Sequence, residues 1–167
     1  GPKSLLYEDT PKPRPKDNQV LVQVYATAIT PTEFNWYPTF HTPEGEMRPF
    51  PIILGHEFSG VVEAVGTDCR GVQVGDRIYG LSDWFIDGAQ AEYCLTVPAN
   101  IAPKPVTLEH TQAAAVPISA LTAWQALIDR AHLSAGQRVL IHGAAGGVGS
   151  FAVQLARHQR AHVIATA

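Results

Sequence analysis

A run of small residues between two apolar segments carries the clearest chemical signal in this chain. Residues 139–141 are apolar, and Ala144-Ala145-Gly146-Gly147-Val148-Gly149 follows after two intervening residues. Small residues let a phosphate approach the backbone, and N–H groups at a helix N-terminus attract an anion. Apolar residues recur at helical spacing from Val148 to Leu155, so the pattern predicts a strand, a phosphate-binding turn and a helix. Ala144 replaces the first glycine of the usual G-x-G-x-x-G, and a purely structural turn is the alternative.

The wider segment from Gly136 to Arg157, including Gln154, resembles the signature of the zinc-independent quinone oxidoreductases. These form the zeta-crystallin-like branch of the medium-chain dehydrogenase/reductase superfamily. Other segments resemble this family in the expected order: Glu8 to Pro13, Val20 to Val24, Gly55 to Val62, Val74 to Ile78, and Ala91 to Tyr93. The resemblance implies an α/β plus β architecture. A GroES-like β-barrel catalytic domain would occupy residues 1–117, without the family's opening strand, and the first part of a Rossmann dinucleotide-binding domain would occupy residues 118–167.

The residue pattern indicates the same two regions. Short strands punctuated by Pro and Gly are predicted around residues 20–24, 61–65, 77–79 and 93–97, which suits a small β-barrel. The pattern changes from short strands to helical spacing near Thr107, which is predicted to cap a helix over Leu108 to Val116. A helical stripe from Ile118 to Ile128 then places Trp124 in the core.

The second region looks incomplete as a nucleotide-binding domain. Val163 and Ile164 begin its second strand, whereas a doubly wound domain has about six. Unpaired strand edges invite pairing with other chains. We therefore expect a remainder of the same polypeptide, or a partner copy, to hold residues 118–167.

The zinc-dependent relatives of this family provide a test for a metal. A catalytic zinc takes three protein ligands and keeps a fourth position open. By the resemblance, the ligand positions correspond to Thr30, His56 and Ile118, so both thiolates are replaced. We therefore expect no zinc and interpret His56 as a structural residue. A zinc-dependent alcohol dehydrogenase-like enzyme with other ligands is the alternative.

Without a metal, the resemblance implies hydride transfer from a nicotinamide to a quinone or an α,β-unsaturated carbonyl. It also implies six cofactor-binding residues: Thr30, Thr122, Ala145, Gly146, Gly147 and Val148. For Thr30 the alternative is capping of its own turn, and for Thr122 a hydrogen bond back to a helix carbonyl. Tyr37 and Trp84 belong to aromatic loops that would wall the substrate cleft, with ordinary loop packing as the alternative. The pattern identifies no catalytic acid.

Composition and charge narrow the possible partners. A net charge of −3 gives no reason to expect nucleic acid or an anionic membrane, and no apolar run approaches the roughly 18 residues of a membrane span. Cys69 and Cys94 are expected to be free thiols in a reducing cytoplasm. We expect a homodimer acting on a small apolar substrate. NADPH is favoured over NADH because no acidic residue has appeared by Thr166, and a non-catalytic NADPH-binding or sensing protein is the alternative from another class.

Overall fold

Five antiparallel strands form the framework of the first of two units in the computed structural model of this chain, which describes residues 5–167. They are β1 (Val20–Thr27), β2 (Glu57–Val65), β3 (Arg77–Leu81), β4 (Tyr93–Thr96) and β5 (Ile101–Pro103). Their order in the sheet is β4-β1-β2-β3-β5. The four strands predicted from the sequence are confirmed, whereas β5 was not predicted.

Alternating side chains of these strands form the core of the first unit. Val20, Val22, Phe58 and Val62 are buried together with Ile78. Because neighbouring residues of a strand point to opposite faces, this alternation fixes the pairing of β1 with β2. The predicted free thiols of Cys69 and Cys94 are present and buried.

Short helices connect the strands. A 3₁₀ helix (Pro31–Asn35) and α1 (Tyr37–Phe40) follow β1, and a second 3₁₀ turn (Pro98–Asn100) precedes β5. The next helix, α2, spans His110–Ala114. The prediction that Thr107 caps this helix is wrong. Glu109 is the N-cap, because its side chain accepts the N–H of Gln112 while the Gln112 amide accepts the N–H of Glu109, which satisfies two otherwise unpaired donors.

The second unit begins at Val116 and contains a β-α-β segment. Its elements are α3 (Pro117–Trp124), a π-helical stretch (Gln125–Arg130), β6 (Arg138–Ile141), α4 (Gly147–His158) and β7 (His162–Ala165). Strands β6 and β7 are parallel, and Ala123, Leu127, Ile141, Ala152 and Ala156 form the buried core. The predicted strand, helix and second strand are confirmed.

The predicted core position of Trp124 is wrong. Trp124 is 43% exposed, and its indole N–H donates to Asp129 Oδ1 at 3.2 Å. Ala123 and Leu127 take the buried positions instead. The helix changes to π-helical winding at Gln125, and a regular 3.6-residue period does not describe such a segment.

The two units together confirm the predicted fold class, α/β plus β. They divide between Ala115 and Val116, two residues before the predicted domain boundary. Their assignment as catalytic and nucleotide-binding domains stays a prediction. Within residues 5–167, no helix is long and apolar enough to cross a membrane.

Candidate cofactor and substrate site

The glycine-rich turn joins β6 to α4 as the sequence predicted. Gly146 is the N-cap of α4, and Gly147 and Val148 are its first two helical residues. Ala145 lies in the turn before them. The first N–H groups of an α-helix have no partner within the helix, and α4 is twelve residues long, so these donors form a positive end suited to phosphate.

Glycines of this turn have separate physical roles. Gly143 has a φ of +66°, so it makes the sharp turn in a conformation that other residues rarely adopt. A Cβ on Gly149 would lie 2.1 Å from the Gly143 carbonyl oxygen, so only glycine lets α4 pack this closely on the turn. The tight turn assigned from the motif to position 144 is therefore made one residue earlier, which explains why Ala144 is tolerated.

Thr122 makes the local contact that the sequence left open. Its Oγ1 donates to the Ile118 carbonyl oxygen at 2.7 Å, four residues earlier in α3. The hydroxyl proton is therefore committed, and only the oxygen lone pairs can meet a ligand. Such a group can accept from the carboxamide of a nicotinamide but cannot at the same time donate to a phosphate.

Thr30 does not make the local contact proposed as its alternative. It is the N-cap residue of the 3₁₀ helix, but its side chain makes no capping hydrogen bond. Instead, its backbone carbonyl accepts the N–H of Glu33 at 2.9 Å. Its role in binding the cofactor stays a prediction.

A buried polar cluster that the sequence did not predict includes Glu33 of the 3₁₀ helix that follows Thr30. Glu33 and His56 are each 2% exposed, and Ser82 is fully buried. Glu33 Oε1 accepts the Gly55 N–H at 2.8 Å and lies 3.4 Å from His56 Nε2. His56 Nδ1 is 3.1 Å from Ser82 Oγ. The imidazole therefore has an oxygen of the chain at each nitrogen, which supports its interpretation as a structural residue.

Burial controls the protonation of this cluster. It lowers the pKa of His56 from 6.5 to about 4, with a smaller effect in the same direction from the Arg48 guanidinium and an opposing one from Asp83. Burial also raises the pKa of the Glu33 carboxyl, against the hydrogen bond from Gly55. Although the two side chains lie within ion-pair distance, the imidazole is neutral at pH 7.

These residues do not fit a zinc site. A zinc ligand needs a ring nitrogen with a free lone pair, yet each nitrogen of His56 already faces an oxygen atom of Glu33 or Ser82. Thr30 supplies no thiolate. In the part of the chain that the structure describes, no group of three or more His, Cys, Asp and Glu side chains is arranged to hold a metal ion.

Two loops with aromatic side chains lie near residues of the buried cluster in the chain, and one of their rings contacts it. The first aromatic loop (residues 36–50) carries Trp36 and Tyr37, and the second aromatic loop (residues 82–88) carries Trp84. The ring of Trp84 lies 5.0 Å from that of His56 and meets the ring of Trp36 edge-on at 5.4 Å. Tyr37 stacks on His41 at 4.0 Å and is 56% exposed. Trp84 thus lies above the buried cluster, whereas Tyr37 presents its ring to the surface of this unit.

The end of the second strand also carries polar groups. Thr166 directly follows β7, and its Oγ1 lies 3.1 Å from His142 Nδ1 at the end of β6. Both residues are exposed. They lie at the carboxyl ends of parallel strands, which is where Rossmann folds bind the adenosine ribose. This pair was not predicted, because strand pairing, and not sequence spacing, brings the two residues together.

The chain belongs to the alcohol dehydrogenase GroES-like domain family, whose model matches residues 16–108. It is 38% identical over 169 residues to the quinone oxidoreductase of Pongo abelii, covering 100% of this chain and 50% of that protein. It is 35% identical over 163 residues to the mitochondrial NAD(P)H oxidoreductase RTN4IP1 of Bos taurus, covering 89% of this chain and 41% of that protein. A shorter match, 50% identical over 114 residues, is to the spectinabilin polyketide synthase system protein NorB of Streptomyces orinoci and covers 68% of this chain and 5% of that protein.

Solved structures agree with these relatives. An alcohol dehydrogenase superfamily protein from Novosphingobium aromaticivorans superposes with a TM-score of 0.86 at 36% identity, covering 96% of this chain and 48% of that chain. The quinone oxidoreductase from Coxiella burnetii superposes with a TM-score of 0.84 at 35% identity, covering 96% of this chain and 51% of that chain. The predicted resemblance and the GroES-like fold are thereby confirmed. The chain spans about half the length of the quinone oxidoreductases that it matches.

Proposed function

We propose that this chain is part of a metal-independent, NADPH-dependent oxidoreductase that reduces a quinone or an α,β-unsaturated carbonyl. The observation that carries the proposal is the turn between β6 and α4, which ends at the N-cap Gly146 and leaves the N-terminus of α4 open, in a chain 38% identical to a quinone oxidoreductase. When bound, the nicotinamide supplies the hydride.

In this proposal the chain binds and orients the cofactor. The N–H groups of Gly147 and Val148 bind the pyrophosphate. The Gly146 N–H donates to the Gly143 carbonyl oxygen at 3.0 Å, so Gly146 and Ala145 contribute to the site through their small size, which leaves room for the phosphates. Thr122 accepts from the carboxamide with its free lone pairs, and Thr30 bonds the carboxamide or the substrate carbonyl with its hydroxyl. The fit of these groups rests on the open helix end and on the hydroxyl of Thr30, which makes no capping hydrogen bond.

The proposal assigns no metal to the reaction. Each nitrogen of His56 contacts an oxygen atom, one of Glu33 and the other of Ser82. The imidazole therefore has a structural role and does not bind a metal. The substrate carbonyl is then polarised by hydrogen bonds alone. Elemental analysis showing about one zinc per chain, lost together with activity on chelation, would identify the zinc-dependent alternative.

Trp84 and Tyr37 provide the walls of the substrate site in this proposal. Aromatic faces stack on flat apolar molecules, and quinones and enones are both flat. The exposed ring of Tyr37 and the ring of Trp84 above the buried cluster support this role. A small apolar carbonyl compound or quinone is therefore the substrate class.

NADPH is preferred over NADH in this proposal. Thr166 and His142 provide hydroxyl and imidazole groups at the strand ends, where NAD-binding folds carry a carboxylate for the ribose hydroxyls. We also propose a homodimer in the cytoplasm, where the buried thiols of Cys69 and Cys94 would stay reduced. Sedimentation velocity of the purified protein checks the dimer.

The match to NorB favours a second, narrower candidate. That relative belongs to a polyketide synthase system and shares 50% identity over 114 residues of this chain. Polyketide assembly uses enoyl thioesters, which are α,β-unsaturated carbonyl compounds, so the same hydride chemistry would apply. A substrate held as a thioester would then replace the free quinone.

One assay separates these candidates from each other and from a non-catalytic binding protein. NADPH oxidation is followed at 340 nm with 1,4-benzoquinone, with a simple enone and with crotonyl-coenzyme A. Turnover of the quinone or enone supports the main proposal, and turnover of the thioester alone supports the second candidate. NADPH binding by fluorescence without turnover of any substrate would identify a binding or sensing protein.

A further inference from the structure

The two aromatic loops are joined by a charged contact as well as by their rings. Arg48, near the end of the first loop, donates from Nη2 to Asp87 Oδ1 of the second loop at 2.8 Å. Its Nη1 donates to the Thr39 carbonyl oxygen at 3.1 Å. One planar guanidinium therefore binds both loops at once.

The two side chains of this ion pair differ in their exposure to solvent. The Arg48 side chain is 9% exposed, whereas the Asp87 side chain is 56% exposed. Burying a guanidinium is costly unless its donors are satisfied, so packing alone would be served better by an apolar side chain. With both donors satisfied by Thr39 and Asp87, the buried guanidinium fixes the distance between the two loops.

The contacts of Arg48 continue to the buried cluster. Thr39, whose carbonyl binds Arg48, donates its hydroxyl to the Glu33 carbonyl oxygen at 3.0 Å. On the other side, Asp87 Oδ1 also accepts the Ile53 N–H at 3.2 Å. An unbroken chain of hydrogen bonds thus fixes both loops relative to the turn that carries Thr30.

The first loop itself is folded back on its own chain. His41 and Met47 form an antiparallel bridge, and the Arg48 N–H donates to the Phe40 carbonyl oxygen at 2.8 Å. This hairpin places Arg48 directly beside α1, which carries Tyr37. A shift of the guanidinium would therefore move α1 and the aromatic ring on it.

We propose that Arg48 and Asp87 are positioning residues that set the separation of the two aromatic loops and thereby decide which flat substrates fit between them. This rests on the proposed function, in which the loops wall the substrate site. Neither residue is assigned a contact with substrate or cofactor. Their effect is on the width of the site.

The kinetic test compares two substrates of different width in the purified protein. In Arg48→Met and Asp87→Ala, the ratio of kcat/KM for 9,10-phenanthrenequinone to that for 1,4-benzoquinone should change roughly tenfold, mainly through KM. Asp87→Asn keeps an oxygen acceptor for both Arg48 and Ile53, so it should restore the ratio to within about threefold of wild type. NADPH affinity should be unchanged in all three.

Lys12→Met is the matched control. Lys12 and Glu63 form an ion pair of the same 2.8 Å length, but both side chains are more than 40% exposed and lie outside the two loops. Its removal should leave the substrate ratio at the wild-type value. If Lys12→Met changes the ratio as much as Arg48→Met, loss of any ion pair is sufficient and the proposal is wrong.

An optical readout keeps the proposal testable without turnover. Trp36 and Trp84 meet across the two loops, and Trp124→Phe removes the third tryptophan of the chain. In that background, Arg48→Met and Asp87→Ala should increase acrylamide quenching about twofold, because separated indoles become accessible. If the wild type reduces no quinone or enone but quenching rises, the proposed function fails while the positioning role stands.

The opposite results overturn the positioning role. Unchanged quenching and an unchanged substrate ratio in folded variants would show that the loops keep their separation without the pair. A uniform loss for both substrates together with weaker NADPH binding would indicate a general structural role. If Arg48→Met does not fold, Asp87→Ala decides, since its side chain is more than half exposed.

Discussion

The Glu33 carboxyl and the His56 imidazole face each other inside the first unit, with Oε1 and Nε2 3.4 Å apart and both residues 2% exposed. At an ordinary surface these two groups would form a charged pair. Here burial favours the neutral form of both, lowering the pKa of His56 to about 4 and raising that of Glu33. The contact therefore fixes the turn before α1 without placing a charged pair in the core.

This protonation state predicts a pH dependence of stability. Between pH 6.5 and about 4, the unfolded chain binds a proton at His56 that the folded chain does not bind, so stability falls as the pH falls. Glu33 acts in the opposite direction, because its raised pKa lets the folded chain bind a proton first. The contribution of His56 from pH 7.5 to pH 5 should be a loss of about 2 kcal/mol.

Urea unfolding of wild type and His56→Gln at pH 7.5 and 5 measures this contribution. The substitution should remove most of the loss assigned to His56. His162→Gln, which removes an exposed imidazole on β7, is the control and should behave as wild type. An identical pH dependence in wild type and His56→Gln would mean that the imidazole does not stay neutral in the folded protein.

A second prediction concerns the packing of α4. Gly149→Ala places a methyl group 2.1 Å from a backbone oxygen that has little freedom to move, so we expect a destabilisation of about 1–3 kcal/mol. At Gly147 a Cβ would lie 3.1 Å from the Ser119 hydroxyl, which can rotate away. Gly147→Ala should therefore cost less than about 1 kcal/mol in the same urea experiment. Equal costs would show that α4 has room to shift.

Bulky side chains at the end of α4 should weaken cofactor binding. Gly147→Leu and Gly146→Val would keep the pyrophosphate from the backbone and remove about two charge-assisted hydrogen bonds, costing on the order of 2–4 kcal/mol. Fluorescence titration with NADPH measures the loss, and Gly147→Ala provides the small-side-chain control. Unchanged affinity in a folded Gly147→Leu protein would place the phosphates elsewhere.

The preference for NADPH should depend on Thr166. A carboxylate at this strand end would repel the 2′-phosphate and accept from ribose hydroxyls, so Thr166→Asp should shift the NADPH-to-NADH affinity ratio toward NADH by roughly tenfold. Thr166→Asn has a similar shape without the charge and should shift the ratio much less. Equal shifts in the two variants would remove charge as the cause.

Local patterns were sufficient where the chemistry is local. The strands of the first unit follow from alternating residues such as Val20 and Val22, and the turn before α4 follows from its run of small residues. The family resemblance added the functional assignment. The error at Thr107 arose because Glu109 and Gln112 make a better paired cap two residues later.

Contacts between distant residues could not be predicted in this way. Glu33, Ser82 and His56 are brought together by the strands, as are Arg48 and Asp87, and nothing in their spacing indicates a pair. The acidic residue Glu33 could have indicated this cluster, because its side chain is buried and a buried carboxyl needs a hydrogen-bond partner. The prediction that Trp124 is buried was wrong for another reason, because the helix changes to π-helical winding directly after this residue.

Turnover after metal removal tests the central claim most directly. The purified protein is dialysed against a strong zinc chelator, its zinc content is measured, and quinone-dependent NADPH oxidation is recorded at 340 nm before and after. We predict less than about 0.1 zinc per chain and an unchanged rate, because neither nitrogen of His56 is available to a metal. A rate that disappears on chelation and returns with one equivalent of zinc would contradict the account.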